Sequence, residues 1–544
     1  MLAVESATEW NDGRTRGSTS ALRPYDSPAM PLRGRILFVT SNGTGLGHLS
    51  RSMAIAKRLD PTREPLFVTF SAAAPAVREL GFPVEYVASY DRPGAGNDWR
   101  WTRRVRARLE AIVSEVRPEV VAFDGTHPYE RLLPALRSSG AALVWCRRAM
   151  WRRDSDTAPL WRSHLFDAVL EPGEYAAAAD TGPTVARRGE AHRVDPVVLL
   201  DRSDLLPRDE AERKLGLEPG RTNVLVQLGQ GDGVRAANRR CLRHLAARPE
   251  VQVAALASAL ATLDEVPDGV LRLRGTYPVS RYLAAFDVAV AAAGYNAYHE
   301  LIHLGVPALY VPMPRQTDDQ AARARYASES GVGVAVAGPD DPALEARLDD
   351  LLDPVRRDAI RERLASVELA NGAADAARWL EELGAGPAPP SGPAASGRRR
   401  PPSRAARVRR AWIFAASVPP TVVRLARQVL TRPRVRTVVI ALGFERDDLA
   451  GPLAGALERA GERPERALVV TDSLDFGPLL ALRVGFEHVP GPRHRHAELA
   501  GGDYERFASE RVRLILADRP RRRRVLTLGH VPAAVLGAAQ PSRR

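Results

Sequence analysis

The chain reads as an α/β protein: two Rossmann-like domains facing across a cleft, then, after a linker, a smaller C-terminal α/β domain. Three observations predict this. Short apolar runs of strand length alternate with helix-length stretches, the rhythm of a parallel, doubly wound sheet. The alternation runs twice, broken by an acidic-start helix closed by glycine, "SDLLPRDEAERKLGL" (203–217). A third, shorter series follows a segment of Pro, Ala, Gly, Ser and Arg that has too little apolar surface to order itself.

Taken in order, residues 1–33 read as a disordered leader, with acidic residues and no apolar core of signal-peptide length. The first domain, 34–205, opens on "RILFVT" and continues through "EPLFVTF", "PVEYVA", "PEVVAFD", "AALVWC" and "DAVLEP". The second, 206–383, contains "TNVLVQLGQGDG", "VQVAALAS", "VLRLRG", "DVAVAAAG", "PALYVPMP" and "GVGVAVAG", and a helix over 353–383 is predicted to finish it. Residues 384–434 form the linker, whose second part, "AWIFAASVPPTVVRLARQVLTRPR", mixes apolar residues with arginine. Residues 404–434 are open to three readings: packing on a neighbouring domain, disorder, or peripheral contact with an anionic membrane. "RTVVIALG", "RALVVTDS", "FEHVPG" and "RVLTLG" mark the small domain, 435–531, whose role is not legible, and 532–544 read as a tail. Within that domain "TDSLDFG" reads as a capped turn and "RHRH" (493–496) as a solvated loop.

Composition narrows the partners. The net charge is +13, yet lysine occurs only at Lys57 and Lys214, and the arginine excess is concentrated in "SGRRRPPSRAARVRR" and "DRPRRRRV". Such runs read as solvated tails, and without zinc-finger spacing or an aromatic-basic repeat, nucleic acid is not an expected partner. Two cysteines, Cys146 and Cys241, make no disulfide framework or structural metal site, which fits a reducing cytoplasm. No window reaches the roughly 18 apolar residues of a membrane span. The expected location is cytoplasmic, either free or peripheral at the inner face of the membrane.

Two stretches carry chemistry. In "TSNGTGLGHLSRSMAIAKRL" (40–59) a strand turns through glycine into a helix. The turn, Gly43, Thr44, Gly45, Gly47 and His48, offers backbone N–H groups and a helix dipole to a phosphate, a carboxylate or a developing oxyanion. In "DVAVAAAGYNAYHELIHLGVPALYVPMPRQTDDQ" (287–320) the helix start at Gly294, Tyr295, Asn296 and Ala297 can hold a phosphate. Asn296 and Glu300, four apart, share a helix face, and an ionised Glu300 can accept hydrogen bonds from both hydroxyls of a ribose. His299 and His303 flank Glu300 without the order of a zinc motif and read as packing or phosphate contacts.

These residues resemble the donor-binding half of GT-B glycosyltransferases, in particular the branch of the peptidoglycan N-acetylglucosaminyltransferases. There a Gly-rich turn, a helix with glutamate, "GVP" and a "DQ" or "QQ" pair recur in this order. The resemblance covers about residues 35–383 and implies a hexosyltransferase that moves a sugar from a nucleoside-diphosphate donor, a UDP-sugar, to a hydroxyl acceptor. It implies Glu300 as the ribose-binding glutamate, Gly294 to Ala297 as the diphosphate-binding helix start, and Asp319 with Gln320 as contacts to the donor sugar. Gly229 and Gly231 fall in the Gly-rich loop that opens the second domain, and Tyr277 falls where the family covers the base. His48 becomes the general base and Asp124, ending "PEVVAFD", its orienting partner; the alternative is that His48 caps the turn or binds acceptor. No metal or cofactor is expected, because a helix dipole and backbone donors can stabilise the departing diphosphate. "SNGTGLGH" departs from the branch's usual "GGTGGH", so the acceptor stays open among lipid-linked sugar, polyprenol, secondary metabolite and cell-wall polysaccharide. A sugar-nucleotide epimerase or hydrolase on the same fold, and a non-catalytic sugar-nucleotide scaffold, are the rival readings.

Overall fold

The computed structural model describes residues 32–41, 46–93, 95, 98–229, 232–256, 266–273, 276–386, 435–445, 448–519 and 523–540. The leader up to residue 31, the loop residues Gly43, Thr44, Gly45 and Gly231, and the proposed membrane segment 404–434 lie outside them.

Valine, isoleucine, phenylalanine and leucine runs bounded by turns build the central strands, buried on both faces as parallel sheets require, with less buried strands such as His192–Val194, Leu271–Leu273 and Arg524–Gly529 at the edges. In the first unit these are β1 (Gly34–Thr40), β2 (Arg63–Thr69), β3 (Val84–Tyr86), β4 (Val120–Asp124), β5 (Ala142–Cys146), β6 (Ala168–Pro172) and β7 (His192–Val194). They form a parallel sheet in the order β3-β2-β1-β4-β5-β6-β7. The second unit has β8 (Thr222–Gln227), β9 (Val251–Leu256), β10 (Leu271–Leu273), β11 (Val288–Ala291), β12 (Ala308–Tyr310) and β13 (Val334–Ala335), ordered β10-β9-β8-β11-β12-β13. The third has β14 (Thr437–Leu442), β15 (Ala467–Thr471), β16 (Gly485–His488) and β17 (Arg524–Gly529), ordered β16-β15-β14-β17. Ligands of such sheets bind beyond the strand carboxyl ends where the order reverses. In the first sheet that point lies between β1 and β4, where Thr40 pairs with Asp124. In the second it lies between β8 and β11, where Gln227 pairs with Ala291.

The end of the second unit differs from the single helix expected over 353–383. Two helices, Pro354–Ala365 and Ala373–Ala385, are separated by "VELANG", and the latter crosses back to the first domain. There Ala373, Ala376, Ala377 and Leu380 join the core under Ile36, Met53 and Val120. The break is held from outside: Asn371 accepts a hydrogen bond from the Val198 amide and donates to Asp201 (3.2 and 2.8 Å). The two chain crossings between the domains are thus tied together.

The third unit packs against the first. Tyr86 at the edge of the first sheet sits in a ring cluster with Phe476 and Phe486 (centroids 4.9 and 5.4 Å away). The "RHRH" segment is not a solvated loop. His494 Nε2 accepts the Val84 amide, His488 Nδ1 the Tyr86 amide and Glu487 the Ala88 amide, so side chains of the third unit satisfy alternate donors along β3. Beneath them the fully buried Glu85 lies between Arg108 (2.7 Å) and Arg511 (3.0 Å). Residues 533–539, expected within a tail, form a helix whose Val535 and Ala539 belong to the third core. "TDSLDFG" is a structural turn, with Asp472 accepting the amides of Gly443 and Phe444.

Candidate active site

The first-domain side is built on the helix Gly47–Ala56 and the end of β4. His48 begins that helix, and its Nδ1 lies 2.6 Å from Asp124 Oδ1. Arg51, one turn later on the same face, holds Asp124 through Nε (3.1 Å to Oδ2) and Nη2 (2.6 Å to Oδ1). Because Asp124 accepts at Nδ1, that nitrogen carries the proton, and His48 Nε2, without a hydrogen-bond partner among the described residues, is left as the basic atom. Burial lowers the His48 pKa, and Arg51 and Arg148 lower it further, against the opposing pull of Asp124. Burial pushes the Asp124 carboxyl up, but Arg51 and His48 outweigh it and hold it below its ordinary range. The site therefore presents an uncharged imidazole beside an ionised carboxylate.

The donor-domain side is built on the helix Tyr295–Leu304, capped by Gly294 with extended backbone and closed by Gly305 in the left-handed conformation. Glu300 faces the cleft one turn in. Its carboxylate has no polar partner among the described residues, and burial alone pushes its pKa up to about 7. Asn296 reaches across to the Gly47 carbonyl (3.3 Å), and the Tyr277 hydroxyl meets Ser50 Oγ (3.3 Å), so both candidate donor residues touch the helix that carries His48. Gly229, after β8, adopts φ 83°, a conformation that favours glycine. Asp319 caps the helix Gln320–Glu329 by accepting the Ala322 amide. Gln320 is buried, accepts the Met313 amide and donates to Asp318. His299 is likewise structural, its Nδ1 donating to the Tyr295 carbonyl and its Nε2 accepting the Tyr175 amide. Among the described residues no group of three His, Cys, Asp or Glu side chains is arranged to hold a metal ion.

Three residues of this cleft escape a reading of the sequence. Arg51 is fully buried on Asp124, Arg148 stands 3.5 Å from Asp318 across the cleft, and Asp318 itself is held ionised by Arg323 (2.7 Å). The spacing in "GHLSR" places His48 and Arg51 on one helix face and is the signal that could have found the first.

Two facing parallel sheets, with opposed helix starts at their reversal points, define the class: a GT-B glycosyltransferase. Residues 276–378 match the description "Glycosyltransferase family 28 C-terminal domain". The UDP-N-acetylglucosamine–N-acetylmuramyl-(pentapeptide) pyrophosphoryl-undecaprenol N-acetylglucosamine transferase of Clavibacter sepedonicus is 34% identical over 362 residues, covering 62% of this chain and 94% of that protein. The transferase of the same name from Rhodococcus opacus is 27% identical over 64% of this chain and 96% of its own length. The Acinetobacter baumannii MurG crystal structure is 16% identical, with a TM-score of 0.42, over 64% of this chain and 99% of that one. The chain belongs to the family of these peptidoglycan N-acetylglucosaminyltransferases, and it is a glycosyltransferase.

Proposed function

We propose that the chain transfers the sugar of a UDP-sugar to the hydroxyl of an acceptor, with the donor nucleotide on Gly294 to Glu300 and His48 as general base. The observation that carries the reading is the Glu300 carboxylate, without a polar partner among the described residues and one turn into a helix whose Asn296 reaches the Gly47 carbonyl of the His48 helix. His48 Nε2 takes the proton of the acceptor hydroxyl as its oxygen attacks the anomeric carbon. The bond from that carbon to the diphosphate breaks, and the diphosphate leaves with the electron pair towards the amides of Tyr295 to Ala297. Asp124 stabilises the imidazolium formed. The names of the relatives supply the first pair to test, UDP-N-acetylglucosamine with a sugar on a polyprenyl diphosphate.

Among the described residues no helix is long and apolar enough to cross a membrane, and this reading assigns contact with an anionic membrane to 404–434. Vesicle sedimentation with and without anionic lipid tests that assignment. For the donor, the decisive experiment is a thermal-shift panel of UDP-, dTDP- and GDP-sugars beside Glu300→Ala. Stabilisation by UDP-sugars that the variant loses supports the site; a shift that survives in the variant overturns it.

A further inference from the structure

The carboxylate that orients the base is shared. Asp124 Oδ1 receives both His48 Nδ1 and Arg51 Nη2, each at 2.6 Å, and Oδ2 receives Arg51 Nε at 3.1 Å. Arg51 Nη2 also lies 3.2 Å from His48 Nδ1. The guanidinium is 1% exposed, its carbon stands 5.1 Å from the ring centroid of Tyr295 on the donor helix, and its Nη1 has no hydrogen-bond partner among the described residues. A carboxylate alone would favour the imidazolium form of His48, whereas one already matched by a guanidinium presents nearly a neutral pair. The charged and titratable groups facing His48 are Asp124 from β4, Arg51 from its own helix, Arg148 after β5 and His127 after β4. From the donor domain comes the uncharged Asn296, at the Gly47 carbonyl.

Resting on the proposed role of His48, we infer that Arg51 is a positioning residue that keeps this base neutral and, by stacking on Tyr295, fixes it relative to the donor helix. Arg51 touches neither donor nor acceptor. Its removal changes the titration of His48 and the turnover rate, and leaves donor binding alone.

The test uses the full chain with carbon-13-labelled histidine, the His48 resonance being identified by its loss in His48→Ala. In Arg51→Gln the His48 titration point is expected to rise by about one pH unit, while the UDP-sugar thermal shift stays at the wild-type value. Arg51→Lys keeps the charge and is expected to restore the titration point, but turnover stays reduced because a single ammonium cannot make both contacts. An unmoved His48 titration point in a folded Arg51→Gln protein overturns the inference. If stranding Asp124 unfolds that variant, Asp124→Asn is compared with Arg51→Gln/Asp124→Asn. The second change must then raise the titration point, and no rise overturns the inference equally. Full turnover in His48→Ala instead overturns the reading of His48 as base, whatever the titrations show.

Discussion

Burial acts on one group from each domain with opposite chemical results: it keeps His48 uncharged and makes Glu300 reluctant to ionise. Two outcomes follow at the level of single residues. Replacing His48 by alanine should lower turnover by about 10²- to 10⁴-fold with the donor-induced thermal shift intact. In the proposed role of Glu300 its carboxylate accepts two ribose hydroxyls, and that form gains population as pH rises through about 7, so donor affinity should improve across that range. Glu300→Gln should flatten the dependence, as a titration of donor binding from pH 6 to 8 would show. Its raised pKa also costs the folded state stability as pH climbs from the unfolded value near 4.5, so Glu300→Gln should unfold about 1–3 kcal/mol less readily at pH 8. His48 and Asp124 were legible because they stand at a helix start and a strand end, and Glu300 because a carboxylate interrupts an otherwise small and apolar stretch one turn into its helix. Arg51 was not. An arginine on a helix reads as solvent-facing, and what buries it is a carboxylate 73 residues away in the chain.

At the scale of elements, the same limit explains the helix expected over 353–383. Alanine and leucine continue the helical pattern through that stretch, and the interruption is made by Asn371 bonding to Val198 and Asp201, which no local periodicity reveals. Gly372 beside it is packed so closely that a Cβ would overlap the backbone of Asp195. Gly372→Ala should therefore destabilise the protein by about 2 kcal/mol through overpacking and loosen the tie between the crossings, measured as a lower urea midpoint. Strands were the more legible elements, because a short apolar run between turns has few other ways to be buried. The "RHRH" segment misled for the opposite reason: an isolated polar run looks solvated until the edge amide of Val84 that its His494 satisfies is known.

For the whole molecule, the third unit is the feature with most energetic weight outside the cleft. Arg511→Ala would strand the buried Glu85 with Arg108 alone, and should cost about 3–5 kcal/mol in chemical denaturation. Acid should act at the same seam. Burial holds the His494 pKa down to about 4. The unfolded imidazole binds a proton below about 6.5 that the folded one refuses, so stability falls as pH drops from 6.5 towards 4, and His494→Asn should reduce that slope. A chain ending at residue 386 would present β3 with open amides and an uncovered apolar flank, the kind of edge that recruits other strands, and light scattering should show it self-associating.

The direction of that seam has one more consequence. Along it β3 ascends from Val84 to Ala88 while its partners descend from His494 through His488 to Glu487, and Arg495, beyond them, reaches Glu64 near the start of β2. The carboxyl ends of the third sheet thus open at the foot of the first sheet, not beside the cleft between the first two units. The open ends of the first and third sheets therefore face different sides of the molecule, and a product of the proposed transfer would not pass directly from one to the other.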